Sequence, residues 1–170
     1  MRGAGGTDMM PVAVLGCGNV GSRHLQGLLK LDLPMEIHVY DPSPASLARA
    51  EARASDVPYT RKEIRWYSRA DSLARRFHAA IIASISAGRV PLVELAARSG
   101  CRYLLMEKLV CQSMGEYREI ERLCDEAGIT AWVNFNCRYF RGYERVTGEL
   151  PAAGTICRLA AFGGNHGLAC

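Results

Sequence analysis

The sequence predicts an α/β protein whose strands form a doubly wound parallel sheet. Short apolar segments alternate with amphipathic segments of helical period between residues 11 and 134, which is typical of sheets with helices on both faces. Residues 79–83 are apolar throughout, as expected of a strand that is covered on both faces. We therefore expect a disordered tail at residues 1–10, a domain of this type at residues 11–150 and the start of a second domain at residues 151–170.

The first half of the chain is expected to contain strands separated by capped helices. Its apolar runs suit strands, and the amphipathic stretch after the first run suits a helix. Ser43 is a favoured N-cap residue and Pro44 suits a first helical turn, so a second helix should follow directly. In order, the predicted elements are a strand at residues 12–15, a helix to about residue 31, a strand at residues 37–40, a helix at residues 44–54 and a shorter, weaker strand at residues 64–67.

The second half of the chain continues this alternation, with connections long enough for right-handed crossovers. Ser113 and Glu116 fit a capping box at the start of a helix, and Gly100 and Gly128 are suited to helix ends. In order, the predicted elements are a short helix at residues 72–76, a strand at residues 79–83, a helix at residues 90–99, a strand at residues 103–106, a helix from the capping box through residue 127 and a strand at residues 130–133.

The first predicted strand leads into a turn that contains three glycines. A backbone that turns sharply and approaches a phosphate closely cannot carry side chains at such points. Gly16 would make the turn, Gly18 would let a pyrophosphate come close, and Gly21 would let the helix pack against the strand. Amides at the helix start, together with the helix dipole, favour an anion there. The predicted cofactor-binding residues of this turn are Gly16, Cys17, Gly18, Asn19, Val20 and Gly21.

Asp41 closes the second predicted strand. At this position a carboxylate can accept hydrogen bonds from the ribose hydroxyls of a dinucleotide, each worth about 1.5 to 3 kcal/mol. The same charge would repel a 2′-phosphate, and no Arg or Lys follows before Arg49, so NAD is favoured over NADP as the cofactor. The alternative is a tight turn in which Asp41 merely caps the next helix, although Ser43 and Pro44 could cap that helix without it.

Two further segments follow predicted strands and should lie at the same edge of the sheet. The loop Ser84-Ile85-Ser86 comes after residues 79–83, and Glu107-Lys108 comes after residues 103–106. Open α/β sheets bind their ligands at the carboxyl ends of the strands. We therefore add Ser84, Ile85, Ser86, Glu107 and Lys108 to the predicted cofactor site.

The composition argues against several other classes of protein. The 170 residues carry a net charge of +4, and the basic residues are scattered without interleaved aromatic residues, so no nucleic-acid partner is expected. No apolar run approaches the roughly 20 residues of a membrane span, and the N-terminus lacks the apolar core of a signal peptide. The 7 cysteines include no C-x-x-C pair, which favours reduced thiols in a cytoplasmic protein without a metal site.

These motifs together resemble the Gfo/Idh/MocA family, the group of glucose-fructose oxidoreductase, inositol dehydrogenase and rhizopine-catabolism proteins. The resemblance covers about residues 11–165 and rests on motifs in matching order, namely Gly16-x-Gly18-x-x-Gly21 with His24, Tyr40-Asp41, residues 83–86, Glu107-Lys108 and Asn134-x-Asn136-x-Arg138-Tyr139. Family members are NAD(P)-dependent oxidoreductases. The resemblance therefore implies an enzyme that acts on a small sugar-, inositol- or nucleotide-sugar-like hydroxyl or keto compound.

The resemblance also implies roles for individual residues. Lys108 corresponds to the family's lysine that contacts the reacting hydroxyl and the nicotinamide region, and an ammonium can stabilise a developing alkoxide. Lys108 is therefore the predicted catalytic residue, the alternative being a surface lysine paired with Glu107. Asn136 and Arg138 are the predicted substrate residues, but Arg138 could equally pair with an acid where the first domain ends.

The chain departs from the family at two points. Leu109 replaces the proline that follows Glu-Lys, which commonly lies at a cis or restricted bond, so the orientation of Lys108 is left open. Family members are also considerably longer, and a histidine in their second domain usually serves as acid or base. His166 lacks the family's following aspartate, so we do not expect it to be that histidine. We expect a truncated amino-terminal domain that is inactive alone.

Two hypotheses of different classes follow from the sequence. The first is the cofactor half of an NAD-dependent oxidoreductase. The second is a non-catalytic module that binds or senses a nucleotide. In either case a strand-like segment at residues 155–162 would expose Ile156, Leu159 and Phe162 unless something covers them, so we expect either self-association or packing of this segment against its own domain or a second copy. The full-length form is expected to be a homo-oligomer.

Overall fold

The computed structural model describes residues 9–73 and 76–135. Strands and helices alternate along these residues. In chain order they are strand β1 (Met10–Leu15), helix α1 (Asn19–Lys30), strand β2 (Met35–Tyr40), helix α2 (Pro44–Ser55), strand β3 (Lys62–Tyr67), a 3₁₀ turn (Ala70–Ser72), strand β4 (Ala79–Ile82), helix α3 (Val90–Arg98), strand β5 (Tyr103–Glu107), helix α4 (Met114–Ala127) and strand β6 (Thr130–Asn134).

The strands form one parallel sheet in the order β3-β2-β1-β4-β5-β6. The predicted doubly wound α/β class is thereby confirmed. The strand order reverses between β1 and β4, and such a reversal leaves a crevice at the carboxyl ends of the strands. Leu15 of β1 is aligned with Tyr40 of β2 and with Ile82 of β4. The segments that follow these strands therefore start at the same level of the sheet.

The sheet separates two apolar cores, and β1 contributes to both. Val12 and Val14 face α1 and α2, whereas Ala13 and Leu15 face α3 and α4. This alternation follows from the two-residue period of a strand, which sends successive side chains to opposite faces. A strand buried on both sides must be apolar at nearly every position, which is why its sequence was recognisable.

The predicted helix boundaries agree with the structure. Ser43 caps α2, and its hydroxyl accepts a hydrogen bond from the amide of Ser46 at 3.3 Å. Gly100 and Gly128 follow α3 and α4 with φ angles of +65° and +64°, a conformation that glycine adopts without steric cost.

The capping box of α4 is formed differently from the prediction. The hydroxyl of Ser113 accepts from the Glu116 amide at 3.2 Å, as expected. The Glu116 carboxylate, however, accepts from the amide of Gln112 at 2.8 Å rather than from that of Ser113. The Glu116 carboxylate therefore binds a backbone amide one residue further toward the N-terminus than in a standard capping box.

The predicted short helix at residues 72–76 is not found at its described positions, because Ser72 ends the 3₁₀ turn Ala70–Ser72 and neither Leu73 nor Arg76 is helical. Leu73 and Phe77 on either side of residues 74–75 are both buried in the core below α3. The Phe77 amide donates to the carbonyl of Ser99, at the end of α3, at 3.2 Å. Tertiary packing therefore fixes the described residues on both sides of this segment.

Several expectations concern residues outside the described ranges. They are the tail as far as residue 8, the substrate residues Asn136 and Arg138, the segment at residues 155–162, His166 and the second domain at residues 151–170. Met10, which was assigned to the tail, belongs to β1, and its amide donates to the carbonyl of Pro34 at 3.0 Å.

Candidate functional site

The protein's own packing requires glycine at two positions of the turn between β1 and α1. Gly16 has a φ angle of +91°, and a Cβ atom there would lie 2.6 Å from the amide nitrogen of Ser84. A Cβ atom on Gly21 would lie 1.9 Å from the carbonyl oxygen of Gly16. Both distances are far below van der Waals contact, so these glycines allow the turn, α1 and the loop after β4 to pack closely.

Gly18 occupies a different environment from the other two glycines. Apart from its neighbouring backbone, no atom of the described residues lies within 4 Å of the position that its Cβ would take. Gly18 is the N-cap of α1, where no side chain caps the helix and no acidic residue occupies the first turn. The start of α1 therefore offers open space and amide donors, which are the features that a bound phosphate uses.

Arg53 of α2 supports the first turn of α1. Its Nη1 atom donates to the Ser22 hydroxyl at 2.6 Å, and its Nη2 atom donates to the Asn19 side-chain oxygen at 3.3 Å. The Asn19 side chain is thus held by the protein, while Val20 beside it is 48% exposed. The role of Arg53 was not predicted from the sequence, because its partners lie about thirty residues away and no local pattern indicates the contact.

Asp41 faces the glycine turn, as the predicted site requires. One carboxylate oxygen, Oδ2, accepts a hydrogen bond from the amide of Cys17 at 2.8 Å, and Oδ1 accepts from the amide of Ser43 at 2.9 Å. Asp41 is largely buried. Since each carboxylate oxygen has a further acceptor position, Asp41 is fixed in place and can still accept hydrogen bonds from a ligand.

Cys17 shapes the turn with its backbone and the core with its side chain. The thiol is fully buried in the core beneath α1 and α2. Burial, the charge of Asp41 and a hydrogen bond with that carboxylate raise the pKa of Cys17 to about 12. Cys17 therefore stays a neutral thiol and, although it belongs to the predicted site, it does not present its side chain to the open space at Gly18.

The loop after β4 lies directly against the turn. The Ala83 amide donates to the carbonyl of Leu15 at 2.9 Å, and Ser84 is the residue that Gly16 packs against. Ile85 is 79% exposed, which is unusual for a large aliphatic side chain at the edge of a sheet. The Ser86 hydroxyl accepts from the side chain of Gln112 at 3.2 Å. Of the predicted loop residues, Ser84 therefore lies closest to the turn, while Ser86 is bound by the loop that precedes α4.

Glu107 at the end of β5 is the centre of a polar cluster. Its Oε1 atom lies 2.8 Å from Nε2 of His24 on α1 and accepts from the side-chain amide of Asn134, at the end of β6, at 2.5 Å. Burial raises the pKa of the Glu107 carboxyl, but the hydrogen bonds from Asn134 and His24 outweigh it and hold the pKa below its usual value. Glu107 thus links α1, β5 and β6 as a carboxylate.

His24 and Asn134 were recognised only as parts of the family resemblance. His24 lies one helical turn after Gly21, so it shares a face of α1 with the glycine that packs against the sheet. Asn134 is aligned with Glu107 in the parallel register of β5 and β6. Register and helix face together could have predicted this cluster, but neither is visible before the strand order is known.

Lys108 is exposed, and its side chain makes no hydrogen bond or ion pair with any other residue of the described part of the chain. The pairing of Lys108 with Glu107, considered above as an alternative, is not found, because the Glu107 carboxylate is bound to His24 and Asn134. The Lys108–Leu109 peptide bond is cis. Within residues 9–73 and 76–135 no side chain engages the ammonium group of Lys108, which leaves it available to a ligand at the sheet edge.

A groove of about 420 Å³ lies beside α1, and neither Gly18 nor Asp41 lines it. Its polar lining residues are Arg23 and the three members of the Glu107 cluster, and the others are apolar or glycine. Its lining residues are Val20, Arg23, His24, Gly27, Leu28, Leu31, Ile81, Glu107 and Asn134. Over residues 9–73 and 76–135, no group of three or more His, Cys, Asp or Glu residues could hold a metal ion, and none of the described helices is both long and apolar enough to cross a membrane.

The glycine turn, the acid that faces it and the open sheet edge define a dinucleotide-binding α/β domain. The family model described as the GFO_IDH_MocA oxidoreductase family with an NAD-binding Rossmann fold matches residues 10–135. The chain therefore belongs to this family, and the expectation from the sequence is confirmed. No curated protein matches the sequence significantly.

Solved structures share the fold at low sequence identity. An oxidoreductase from Agrobacterium radiobacter in complex with NAD+, L-tartaric acid and magnesium has 23% identity and a TM-score of 0.59, over 76% of this chain and 36% of that one. The WlbA dehydrogenase from Bordetella pertussis, in complex with NADH and UDP-GlcNAcA, has 20% identity and a TM-score of 0.65, over 82% and 41%.

A third structure of the same fold is myo-inositol 2-dehydrogenase from Lactobacillus plantarum, with 16% identity and a TM-score of 0.65, over 83% of this chain and 40% of that one. In each of these comparisons the chain spans well under half of the length of the solved structure. The similarity thus concerns the dinucleotide-binding half of these proteins.

Proposed function

We propose that this chain is the NAD-binding part of an oxidoreductase that transfers a hydride between nicotinamide and a hydroxyl or keto carbon of its substrate. One observation carries the proposal. The carboxylate of Asp41 is fixed 2.8 Å from the amide of Cys17, beside a turn in which Gly18 faces open space at the start of α1.

The residues present suit a dinucleotide. Amides of the turn at Gly18, Asn19 and Val20 would hold the pyrophosphate, since the start of α1 has no side-chain cap and adjoins open space at Gly18. Asp41 would accept hydrogen bonds from the adenosine ribose. The loop Ser84-Ile85-Ser86 and the end of β5 at Glu107 would flank the remaining part of the cofactor. When bound, NAD would supply the ring that accepts or returns the hydride.

The preference for NAD over NADP rests on charge. The Asp41 carboxylate is largely buried, so a 2′-phosphate placed beside it would be strongly repelled at low local dielectric. Both Asp41 oxygens are already held by backbone amides, and the side chain therefore could not swing away without breaking these hydrogen bonds. We accordingly assign NAD as the cofactor.

Lys108 is the proposed catalytic residue. Its ammonium group would hydrogen-bond to the reacting oxygen of the substrate and stabilise the negative charge that develops there. The absence of any partner for Lys108 among the described residues supports this role, since a paired ammonium would have to be released first. Asn136 and Arg138 remain the proposed substrate residues, and they lie outside the described part of the chain.

For the substrate we propose a sugar, an inositol or a nucleotide sugar. The similar structures include a protein bound to UDP-GlcNAcA and an inositol dehydrogenase, and family membership supports this chemical class. We also propose that the full-length protein acts in the cytoplasm as a homo-oligomer without a nucleic-acid partner. The cysteines of the described residues, Cys17, Cys101, Cys111 and Cys124, are all free thiols, which suits a reducing compartment.

The substitution Gly18→Ala tests the proposal directly. Gly18 has φ and ψ angles of −59° and −153° and free space at its Cβ position, so the protein has room for the methyl group, and far-UV circular dichroism checks that the variant folds. The added methyl group would occupy the place of the pyrophosphate, and we expect NADH affinity to fall at least about ten-fold, equivalent to roughly 1.4 kcal/mol. Titration of protein fluorescence with NADH measures this change.

Gly115→Ala is the matched control, because a Cβ on Gly115 would make only an ordinary 3.8 Å contact with Ser113 and lies in α4. We expect this variant to bind NADH like the unmodified protein. Equal NADH affinity in both variants, or an unmodified protein that does not bind NADH, would contradict the proposal.

A further inference from the structure

Arg89 is an arginine in an unusual position. It is the N-cap residue of α3 and only 2% exposed, although arginine side chains are almost never fully buried without a partner. Among the described residues it forms no ion pair, and its Nε atom has no hydrogen-bond acceptor there. A buried charge is costly unless it is hydrogen-bonded, so the contacts of its two terminal nitrogens must account for its position.

All of these contacts are made with backbone carbonyls. The Nη2 atom donates to the carbonyl of Ser84 at 2.6 Å, in the loop after β4. The Nη1 atom donates to the carbonyls of Glu107, of Leu109 at 2.5 Å and of Val110 at 3.4 Å, in the loop after β5. One guanidinium group thus joins the two loops that carry most of the proposed nicotinamide-side residues.

Arg89 binds the backbone on both sides of Lys108. It donates to the carbonyl of Glu107, the residue before Lys108, and to the carbonyl of Leu109, the residue after it. The Lys108 side chain itself is exposed and unpaired among the described residues. The point from which this side chain extends is therefore set by the backbone around Lys108, which is held by Arg89 through the carbonyls of Glu107 and Leu109 and lies next to the Glu107 cluster.

The chemistry of the guanidinium group explains why arginine stands here. Its planar fork directs two nitrogens to different acceptors, whereas a lysine offers a single nitrogen that cannot reach both loops with the same geometry. Burial lowers the pKa of Arg89, but an arginine stays protonated in proteins. The carbonyl oxygens therefore meet a permanent positive charge.

We infer that Arg89 is a positioning residue for Lys108, which fixes the backbone on both sides of the lysine and ties it to the Ser84 loop. This inference rests on the proposed function only for its consequence, namely that a fixed Lys108 is aimed at the reacting oxygen. A displacement of a catalytic group by about 1 Å can reduce turnover by roughly a hundred-fold, so the anchoring contacts matter for the rate more than for cofactor affinity.

The experiment compares Arg89→Lys with Arg98→Lys in the full-length protein. Arg98 lies in the last turn of the same helix and is 70% exposed at its side chain, so it serves as a matched control. Reductive methylation with ¹³C-formaldehyde labels every lysine, and this chain contributes Lys30, Lys62 and Lys108. Each of the two variants adds one labelled lysine, and the resonances of Lys30, Lys62 and Lys108 are each identified by their loss when that residue is replaced by Arg.

In Arg89→Lys we expect the Lys108 methyl resonance to shift while those of Lys30 and Lys62 stay unchanged, and both variants to retain the far-UV circular dichroism of the unmodified protein. We expect NADH affinity to change by less than about three-fold and kcat to fall by about ten- to a hundred-fold. A folded Arg89→Lys protein with an unshifted Lys108 resonance would overturn the inference, regardless of its affinity for NADH.

The unmodified protein provides a second measurement that does not depend on the folding of any variant. The ¹⁵N order parameter of the Lys108 amide should approach the value of about 0.85 that is typical of rigid backbone. A value below about 0.6 would mean a flexible segment and would overturn the inference. If NADH fails to bind while the Lys108 resonance responds to Arg89→Lys, the proposed function fails and the positioning contact stands.

Discussion

The Oδ2 atom of Asp41 accepts a hydrogen bond of 2.8 Å from the backbone amide of Cys17. This contact joins the end of β2 to the turn after β1, and it follows from the register in which Tyr40 lies beside Leu15. The second oxygen is held by the Ser43 amide. The acid and the glycine turn therefore form one rigid unit, in which the positions for ribose and pyrophosphate are set before a ligand binds.

The charge of Asp41 should decide between NADH and NADPH. In Asp41→Asn the shape of the side chain is kept but the carboxylate is lost, so hydrogen bonds to the ribose weaken from charged to neutral strength. We expect NADH affinity to fall by about ten-fold or more, since such bonds contribute about 1.5 to 3 kcal/mol each. NADPH affinity should rise or stay constant because repulsion of the 2′-phosphate is removed. Calorimetric titration with both cofactors measures the change.

Asp32→Asn is the control for this experiment, because Asp32 is 93% exposed at its side chain and forms only a 3.7 Å ion pair with Arg61. It should leave the ratio of NADH to NADPH affinity unchanged. If Asp41→Asn kept the same ratio as this control, the carboxylate would have no part in cofactor choice.

The thiol of Cys17 should be unreactive in the folded protein. Burial and the neighbouring Asp41 raise its pKa to about 12, and the thiolate is the form that reacts with alkylating reagents. Treatment with iodoacetamide at pH 8 should therefore leave Cys17 unmodified while the partly exposed Cys111 is labelled. Peptide mass spectrometry before and after unfolding in urea measures this, and rapid labelling of Cys17 in the folded state would contradict the buried position.

The charge of Glu107 should make the free energy of unfolding depend on pH. Its native pKa lies below the usual value, so its contribution is present above about pH 4.5 and is lost as the pH falls through the native pKa. Glu107→Gln should lower the free energy of unfolding by about 1 to 3 kcal/mol at pH 7. The difference from the unmodified protein should shrink at pH 4 and below, as measured by urea unfolding.

Glu51→Gln serves as the control for Glu107, because Glu51 is exposed on α2 and no hydrogen bond or ion pair of its carboxylate is present within the described residues. It should change the free energy of unfolding little at either pH. An equal loss at pH 7 and pH 4 in Glu107→Gln would show that packing, rather than the ionised cluster with His24 and Asn134, determines its effect.

Local patterns were sufficient to predict the sheet and the glycine turn. A strand buried on both faces must be apolar throughout, as in β1 and β4, and Gly16 and Gly21 are imposed by contacts that leave no room for a Cβ. Asp41 was found because its distance from the turn along the chain is fixed by one helix and one strand. These features depend on residues that are close together within one strand-helix-strand unit. They can therefore be predicted from the sequence alone.

The remaining parts of the site depend on contacts between distant elements. Arg53 meets Asn19 from the next helix, Arg89 joins the ends of β4 and β5, and His24 meets Glu107 across 83 positions of sequence. None of these pairs follows from periodicity or capping. The burial of Leu73 and Phe77, which flank residues 74–75, is a further tertiary feature that the local helical pattern did not show.

Lys108 should be needed for turnover but not for cofactor binding. In Lys108→Met of the full-length protein the aliphatic stem is kept and the ammonium is lost, so we expect NADH affinity within about three-fold of the original and turnover reduced by roughly 10² to 10⁴. A panel of sugars, inositols and nucleotide sugars assayed by NADH absorbance measures this. Lys30→Met, which removes an exposed lysine from the last turn of α1, should retain full activity. Equal turnover in both variants would mean that Lys108 does not stabilise the charge on the reacting oxygen. It would favour a nucleotide-binding role for this chain.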